Sequence, residues 1–290
     1  MQQLIGFFCV ILAGIGFGFL GIFGRLAFNT GMSVGELLTF RFLVAGLLLG
    51  AGLFIFQFRL LKLNLRQLII STLLGLLGYA VFSSLYFISI KGLSVSLAAM
   101  LLFTFPLFVN LAAHFILKQK MTSKQFASLI LAFVGMIILL WGPVFFDSLI
   151  SILFALAAAA TYAIYVLVSG QYQQGVHPLS SSFYVITSAG IGLFLFHQPS
   201  LDLIQKLSMQ QWSYIFGLAI VCTILPISLF LLGLQKLSSG VASIVVMIEP
   251  VVAAIAAWMI LDEKLKPFQY VGMALVFLAL VLNAVQKKKN

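Results

Sequence analysis

Charge is what this sequence has least of. Of 290 residues only 8% are Asp, Glu, Lys or Arg, and acids number six against sixteen basic residues. A soluble domain carries roughly a quarter charged residues, so an ordinary water-soluble globule is excluded. Cysteine is almost as scarce: Cys9 and Cys222 each lie inside an apolar run and read as small hydrophobes, not as a disulfide or a metal site. No Walker motif and no H-E-x-x-H are present, and Asp147, Asp202 and Asp262 all fall near the ends of apolar runs. ATP is therefore not expected as the direct driver, no cofactor or metal is expected, and the residue set that a membrane-embedded enzyme needs is missing. No polar stretch is long enough to hold a soluble domain. The net charge of +10 does not point to nucleic acid, because the basic residues sit in short clusters between apolar runs.

What is present is hydrophobic length. Hydrophobic residues make up 63% of the chain and the mean hydropathy is +1.20. Uncharged runs of about twenty residues mark membrane spans. Ten are expected, near 3–24, 34–56, 67–90, 93–116, 124–142, 149–169, 179–197, 211–234, 238–261 and 267–286. The first lacks a basic leader and a clear cleavage site, so it reads as a helix, not as a signal peptide. The weakest boundary is the sixth to seventh, where only Gln171 to Pro178 interrupts an uncharged stretch. Between His197 and Gln211, leucines alternate with Asp202 and Lys206, the pattern of an interfacial helix. With the N-terminus inside, one set of loops holds Arg59, Lys62, Arg66, Lys118, Lys120, Lys124, Lys236 and Lys287 to Lys289. The other holds Arg25, Lys91, Lys206, Lys264 and Lys266. The bias predicts both termini in the cytoplasm, and the basic tail is expected to contact anionic lipid.

The chain also repeats itself. Displaced by 144 positions, Pro106 falls on Pro250, Leu93-Ser94 on Leu237-Ser238, Ala112-Ala113 on Ala256-Ala257, Gly31 on Gly175 and Gln67 on Gln211. Each half, 1–145 and 146–290, then carries five helices. An odd number makes the second copy enter from the opposite side, giving the inverted repeats of many secondary transporters.

One acid lies mid-span. Glu249 is about twelve residues from both Leu237 and Leu261, near the bilayer midplane. A carboxylate there costs on the order of 3 kcal/mol. Pro250 follows and disfavours helical geometry at Glu249, so Pro250 and its counterpart Pro106 are expected to mark paired breaks around one central polar site. Phe105 stands where the second half has Glu249. Glu249 reads as a ligand for a substrate amine or as a proton carrier, against the plainer role of an acid hydrogen-bonded across helices. Arg41, about two turns into the second helix, could bind a carboxylate or phosphate, pair with Glu36 or Glu249, or snorkel to the interface. Tyr79, Ser83 and Tyr86 share a helical face, as do Tyr162 and Tyr165 beside Thr161. Such faces suit an amphipathic or cationic ligand or an interfacial belt. Thr104 and Asn110 flank Pro106, able either to touch substrate or to satisfy backbone groups that the proline frees. His114 and His177 read as interfacial. Gly14, Gly18, Gly46 and Gly50 read as points of close helix approach.

The segment Ile248 to Leu282 resembles the closing part of the EamA repeat in the drug/metabolite transporter superfamily. The likeness is a proline in a helix, an acid at its end, a short basic loop and a Gly-containing last helix. Phe105 to Leu139 is similar in the first half, and the FRFLVAGLLL run around Arg41 looks like the family's second helix. Two departures stand out: Gln119 replaces an acid at the first repeat's helix end, and a Gly-rich GIGFGFLGIFG replaces the first-helix Trp often seen. The resemblance implies an all-α integral membrane protein of ten helices in two inverted repeats. It also implies alternating access, a bacterial cytoplasmic (inner) membrane location, and export of amino acids or related metabolites. The residues themselves leave other readings open: an exchanger or importer of a nucleotide-like metabolite, or a non-transporting receptor or helper. The expected partners are a small solute, the lipid bilayer and protons as a candidate coupling ion, in a monomer or homodimer.

Overall fold

The computed structural model describes residues 2–142, 148–172, 174–200 and 202–284, without the side chain of Leu203. Ten apolar helices run α1 (Gln2–Phe28), α2 (Val34–Phe56), α3 (Leu65–Ile90), α4 (Val95–Phe115), α5 (Ser123–Leu139), α6 (Leu149–Tyr172), α7 (Pro178–His197), α8 (Met209–Leu234), α9 (Ser239–Leu261) and α10 (Pro267–Ala284). All but α5 are long and apolar enough to cross a bilayer unaided. The leucine-rich connection between α7 and α8 does fold into a short helix, Asp202–Lys206. Asp147 and Lys287 to Lys289 lie outside the described residues.

The helices begin where the sequence supplies caps. Asn64 and Gln67 form a capping box at α3, and Ser208 and Gln211 form the same box at α8, each pair satisfying two orphan amides. Ser94 and Ser238 cap α4 and α9. Every one of these positions is matched across the 144-residue displacement. The backbone follows suit. Gly31 and Gly175 take φ of 87° and 82°, and Lys118 and Asp262 take 53° and 54°. The π-helical stretches of α3 and α8 end at the equivalent residues Ala80 and Ile224. Positive φ is costly without a glycine, so its recurrence at Lys118 and Asp262 shows the turn geometry itself is repeated.

Packing carries the same two-fold relation. α5 packs on α10 and α2 on α7; α1 against α8 mirrors α6 against α3, and α9 against α1 mirrors α4 against α6. The two halves are thus inverted copies. Large apolar side chains such as Leu47, Phe56 and Phe115 remain exposed around the bundle, as a lipid-facing surface requires. Small residues set the tightest crossings. A Cβ at Gly46 would lie 2.8 Å from Thr187, and one at Gly50 would lie 2.7 Å from Phe183.

Two sequence expectations need correction. Glu249 keeps right-handed helical geometry (φ −49°, ψ −54°) despite the following proline. The irregularity lies just before it, in a 3-10 turn at Val246–Ile248. Pro250 therefore sits in the first turn of a new segment, Glu249–Leu261, where its missing N–H has no partner to lose. Pro106 does the same in Phe105–Phe115. Arg25, placed in a loop by hydropathy, belongs to the last turn of α1.

The α5–α10 crossing offers a test. A Cβ at Gly272 would lie 2.6 Å from the backbone N of Leu139, and backbone cannot move aside cheaply. Gly272→Val should lower Tm in detergent by several degrees, overpacking costing about 1–3 kcal/mol. Gly52→Ala, with no atom within 4 Å of the new Cβ, should leave Tm unchanged.

Candidate functional site

The two-fold packing leaves a passage at the Arg25 end of the bundle. Its inner part, about 280 Å³, is lined by residues including Arg41, Tyr79, Ser83, Tyr86, Tyr162 and Glu249. Its outer part, about 1000 Å³, carries Arg25, Ser33, Lys91 and His197. Leu20, Leu38, Arg41, Tyr86, Phe87 and Val95 border both, so the two form one path from the Arg25 end down to Glu249. Beside the mouth Arg25 pairs with Glu263, tying the end of α1 to the α9–α10 loop.

Glu249 enters the cavity from the first position of its helical segment, where the helix dipole favours an anion. α1 lies close against it because Gly18 has no side chain: a Cβ there would meet the Glu249 carbonyl oxygen at 2.9 Å. Glu249 is partly accessible, and among the described residues no hydrogen bond or ion pair reaches its carboxylate. Arg41 enters from α2. It is 5% exposed, its guanidinium carbon lies 4.6 Å from the centre of the Phe42 ring, and its Nε is buried without a hydrogen-bond partner. It pairs with neither acid suggested by the sequence. Glu36 instead accepts from the Ser33 amide at 2.8 Å, and no ion pair joins Arg41 to Glu249. By helix rise, Arg41 lies about 10 Å and Glu249 about 18 Å from the open end. A cation and an anion thus share one cavity within electrostatic reach of each other, with no ion pair between them.

Aromatic rings from α3, α4 and α6 form the facing wall. Tyr79 and Phe82 stand 4.9 Å apart, Phe82 and Tyr162 4.7 Å, and Phe105 and Tyr162 4.6 Å, between ring centroids. Not every candidate faces the cavity. Tyr165 stacks behind Tyr162 at 5.8 Å and 8°, packed on Gly78 and Tyr79. Thr104 turns its hydroxyl to the Leu101 carbonyl at 2.6 Å. Asn110 donates to the carbonyl of Pro106 at 2.8 Å. Pro106 is buried away from the cavity, whereas Pro250 lines it. Of the two histidines expected at the interface, His114 contacts the Gln119 carbonyl at 3.2 Å, and His177 accepts from the Leu179 amide at the start of α7. The sequence reading missed Phe17, Leu38, Phe82 and Phe105 as cavity walls. The displacement signal that pairs Phe105 with Glu249 was the clue available for one of them.

Toward the opposite end a polar clamp joins α4, α5 and α9. The Asn110 amide also donates to the Gly240 carbonyl and the Ser243 hydroxyl of α9, at 3.4 and 3.3 Å, while its oxygen accepts from Gln125 of α5 at 2.8 Å. Gly240 leaves the room, since a Cβ there would lie 2.5 Å from the Asn110 oxygen.

The EamA-like transporter family model matches residues 4–141 and again 149–285. This chain belongs to the EamA family. It is 25% identical over 258 residues to the uncharacterized transporter YetK of Bacillus subtilis, covering 86% of this chain and 78% of YetK. It is 28% identical over 212 residues to the threonine/homoserine exporter RhtA of Escherichia coli, covering 71% and 68%. A solved crystal structure at 16% identity superposes with a TM-score of 0.79 over 97% of this chain and 95% of its own, which shows the shared fold alone. As an EamA chain of the drug/metabolite transporter superfamily, this is a membrane-embedded transporter of small molecules and not an enzyme.

The clamp yields a prediction for this EamA bundle. Asn110→Ala removes bonds between α4 and α9 worth about 1 kcal/mol, so these two helices should separate here about five times more often. With Cys9 and Cys222 replaced by serine, a cysteine at Ser169, 2% exposed, should then react faster with a water-soluble maleimide in membrane vesicles.

Proposed function

We propose that this EamA transporter carries α-amino acids by alternating access, and that its net direction is export. One observation carries the reading: Arg41 and Glu249 line the same cavity within electrostatic reach of each other but form no ion pair, and the Arg41 Nε is buried without a hydrogen-bond partner. Leaving opposite charges unpaired at membrane depth costs several kcal/mol, a cost that a zwitterion entering between them would offset. Its carboxylate meets the Arg41 guanidinium, and its ammonium meets Glu249. Tyr79 is within electrostatic reach of both Arg41 and Glu249, and Tyr86 and Tyr162 of Glu249, and all three line the cavity, so their hydroxyls are placed to add hydrogen bonds to the ligand. A polyamine would be repelled by Arg41. A nucleotide would need more cations than the inner cavity offers, and about 280 Å³ is small even for a drug-sized ligand. The named activity of RhtA agrees with this substrate class.

The distribution of Lys and Arg supports both termini in the cytoplasm of the bacterial inner membrane. The passage then opens to the outside, and 1–145 and 146–290 are the two functional halves. Protons are the candidate coupling ion through Glu249: on acidification the carboxylate is neutralised and its hold on the ammonium weakens, so release is favoured on the more acidic side. The same loss makes binding weaker as pH falls.

The test is binding and flux with purified protein in liposomes. Removing one of two desolvated charges costs about 2–5 kcal/mol, so Glu249→Gln and Arg41→Gln should each weaken amino-acid binding at least about thirtyfold. In Glu249→Gln the pH dependence should vanish as well. Unchanged affinity in both variants would remove the pair from the mechanism.

A further inference from the structure

The charged groups account for only part of the cavity. At the place in the first repeat equivalent to Glu249 stands Phe105, which also borders the inner cavity. Around it Phe82 and Tyr162 close an aromatic surface, with centroids of 4.6 Å for Phe105–Tyr162 and 4.7 Å for Phe82–Tyr162. Phe82 is only partly buried, so its ring is presented to the cavity and not spent on packing alone.

We infer that Phe82, Phe105 and Tyr162 form the side-chain subsite, and that this transporter selects amino acids with a large apolar or aromatic side chain over hydroxylated ones. The inference rests on the Arg41–Glu249 reading for the backbone of the substrate and adds the third point of attachment. The tyrosine hydroxyls near the two charges are engaged by the ammonium and carboxylate. Ser83 also borders the inner cavity and offers a polar side chain one hydroxyl, set against the three rings of Phe82, Phe105 and Tyr162. A threonine hydroxyl directed at Phe82 and Phe105 would lose water without gaining a partner, which is unfavourable. A phenyl or branched aliphatic group there gains ring contacts and buries apolar area. The repeat supplies the pairing: equivalent positions border one cavity, one presenting a carboxylate and the other a ring. The site is therefore polar at one pole and apolar at the other, as is an amino acid with an apolar side chain.

The experiment is ligand-induced thermal stabilisation of the full chain in detergent, using phenylalanine, leucine, threonine, homoserine and phenethylamine. Phenylalanine and leucine should reach half-effect at concentrations at least about tenfold below those of threonine and homoserine. Phe82→Ala should raise the phenylalanine value about tenfold or more and leave threonine within about twofold. Phe105→Leu, which keeps the core filled, should raise the phenylalanine value more than the leucine value. Tighter binding of threonine or homoserine than of phenylalanine, or an equal loss for every ligand in Phe82→Ala, overturns the subsite. Equal binding of phenethylamine and phenylalanine keeps the subsite and removes the role given to Arg41. Binding of no amino acid overturns both.

Discussion

A carboxylate at the centre of a bilayer costs on the order of 3 kcal/mol or more unless water or a counter-charge reaches it. Much of this structure follows from that constraint at Glu249. The helix is divided just before it, so the acid occupies the first turn of a new segment and feels the positive end of its dipole. Gly18 lets α1 approach without covering it. Above it a passage leads past Arg41 to one end of the bundle. Arg41 lies in the same passage, against the Phe42 ring and within electrostatic reach of Glu249 but in no ion pair with it. Had the two charges formed an ion pair, the cavity would be neutral and self-satisfied. Kept apart, they create a dipolar gap that a ligand of matching charge separation can fill.

The repeat explains why such a gap sits in the middle. The same crossing occurs twice: Tyr162 of α6 against Phe105 of α4, and Gly18 of α1 against Glu249 of α9. In the first half the crossing is filled by two rings at 4.6 Å. In the second the glycine leaves it open beside the acid. The backbone is repeated down to the turns at Lys118 and Asp262, while the side chains at its centre are not. In the cycle proposed above, the symmetric backbone would supply two related conformations and the asymmetric side chains the site for an asymmetric solute.

The architecture was largely legible in the sequence, because hydrophobic length and a gapless repeat are one-dimensional signals. The ten spans fall within a few residues of their expected places, and the caps at Asn64 and Ser208 occupy equivalent positions. Glu249 and Arg41 were legible as charges where charge is costly. What could not be read was which face of a helix meets the cavity. Tyr162 and Tyr165 are three residues apart on one face, yet only Tyr162 borders the cavity, because Gly78 and Tyr79 of α3 cover its neighbour. The bend at Pro250 was legible, but its form was not. Local preference disfavours helix before a proline, and here the chain tightens one turn earlier and restarts. Thr104 and Asn110 illustrate the ambiguity of polar residues beside a proline: both serve the backbone.

The clamp that joins α4, α5 and α9 breaks the symmetry in a way that bears on the transport cycle proposed here. If the halves exchange conformations, the open end closes by bringing together the residues equivalent to those of the clamp. Ala254 replaces Asn110, Ser96 replaces Gly240, Ala99 replaces Ser243 and Gln269 replaces Gln125. None reproduces the amide that donates to three acceptors, so that closure would rest on apolar contact and on the Arg25–Glu263 pair. Hydrogen bonds of the clamp must be broken to leave the present conformation. An apolar seal lacks such directional partners. The two end states are then held by different physics, and the resting equilibrium is set by side chains that the repeat does not share.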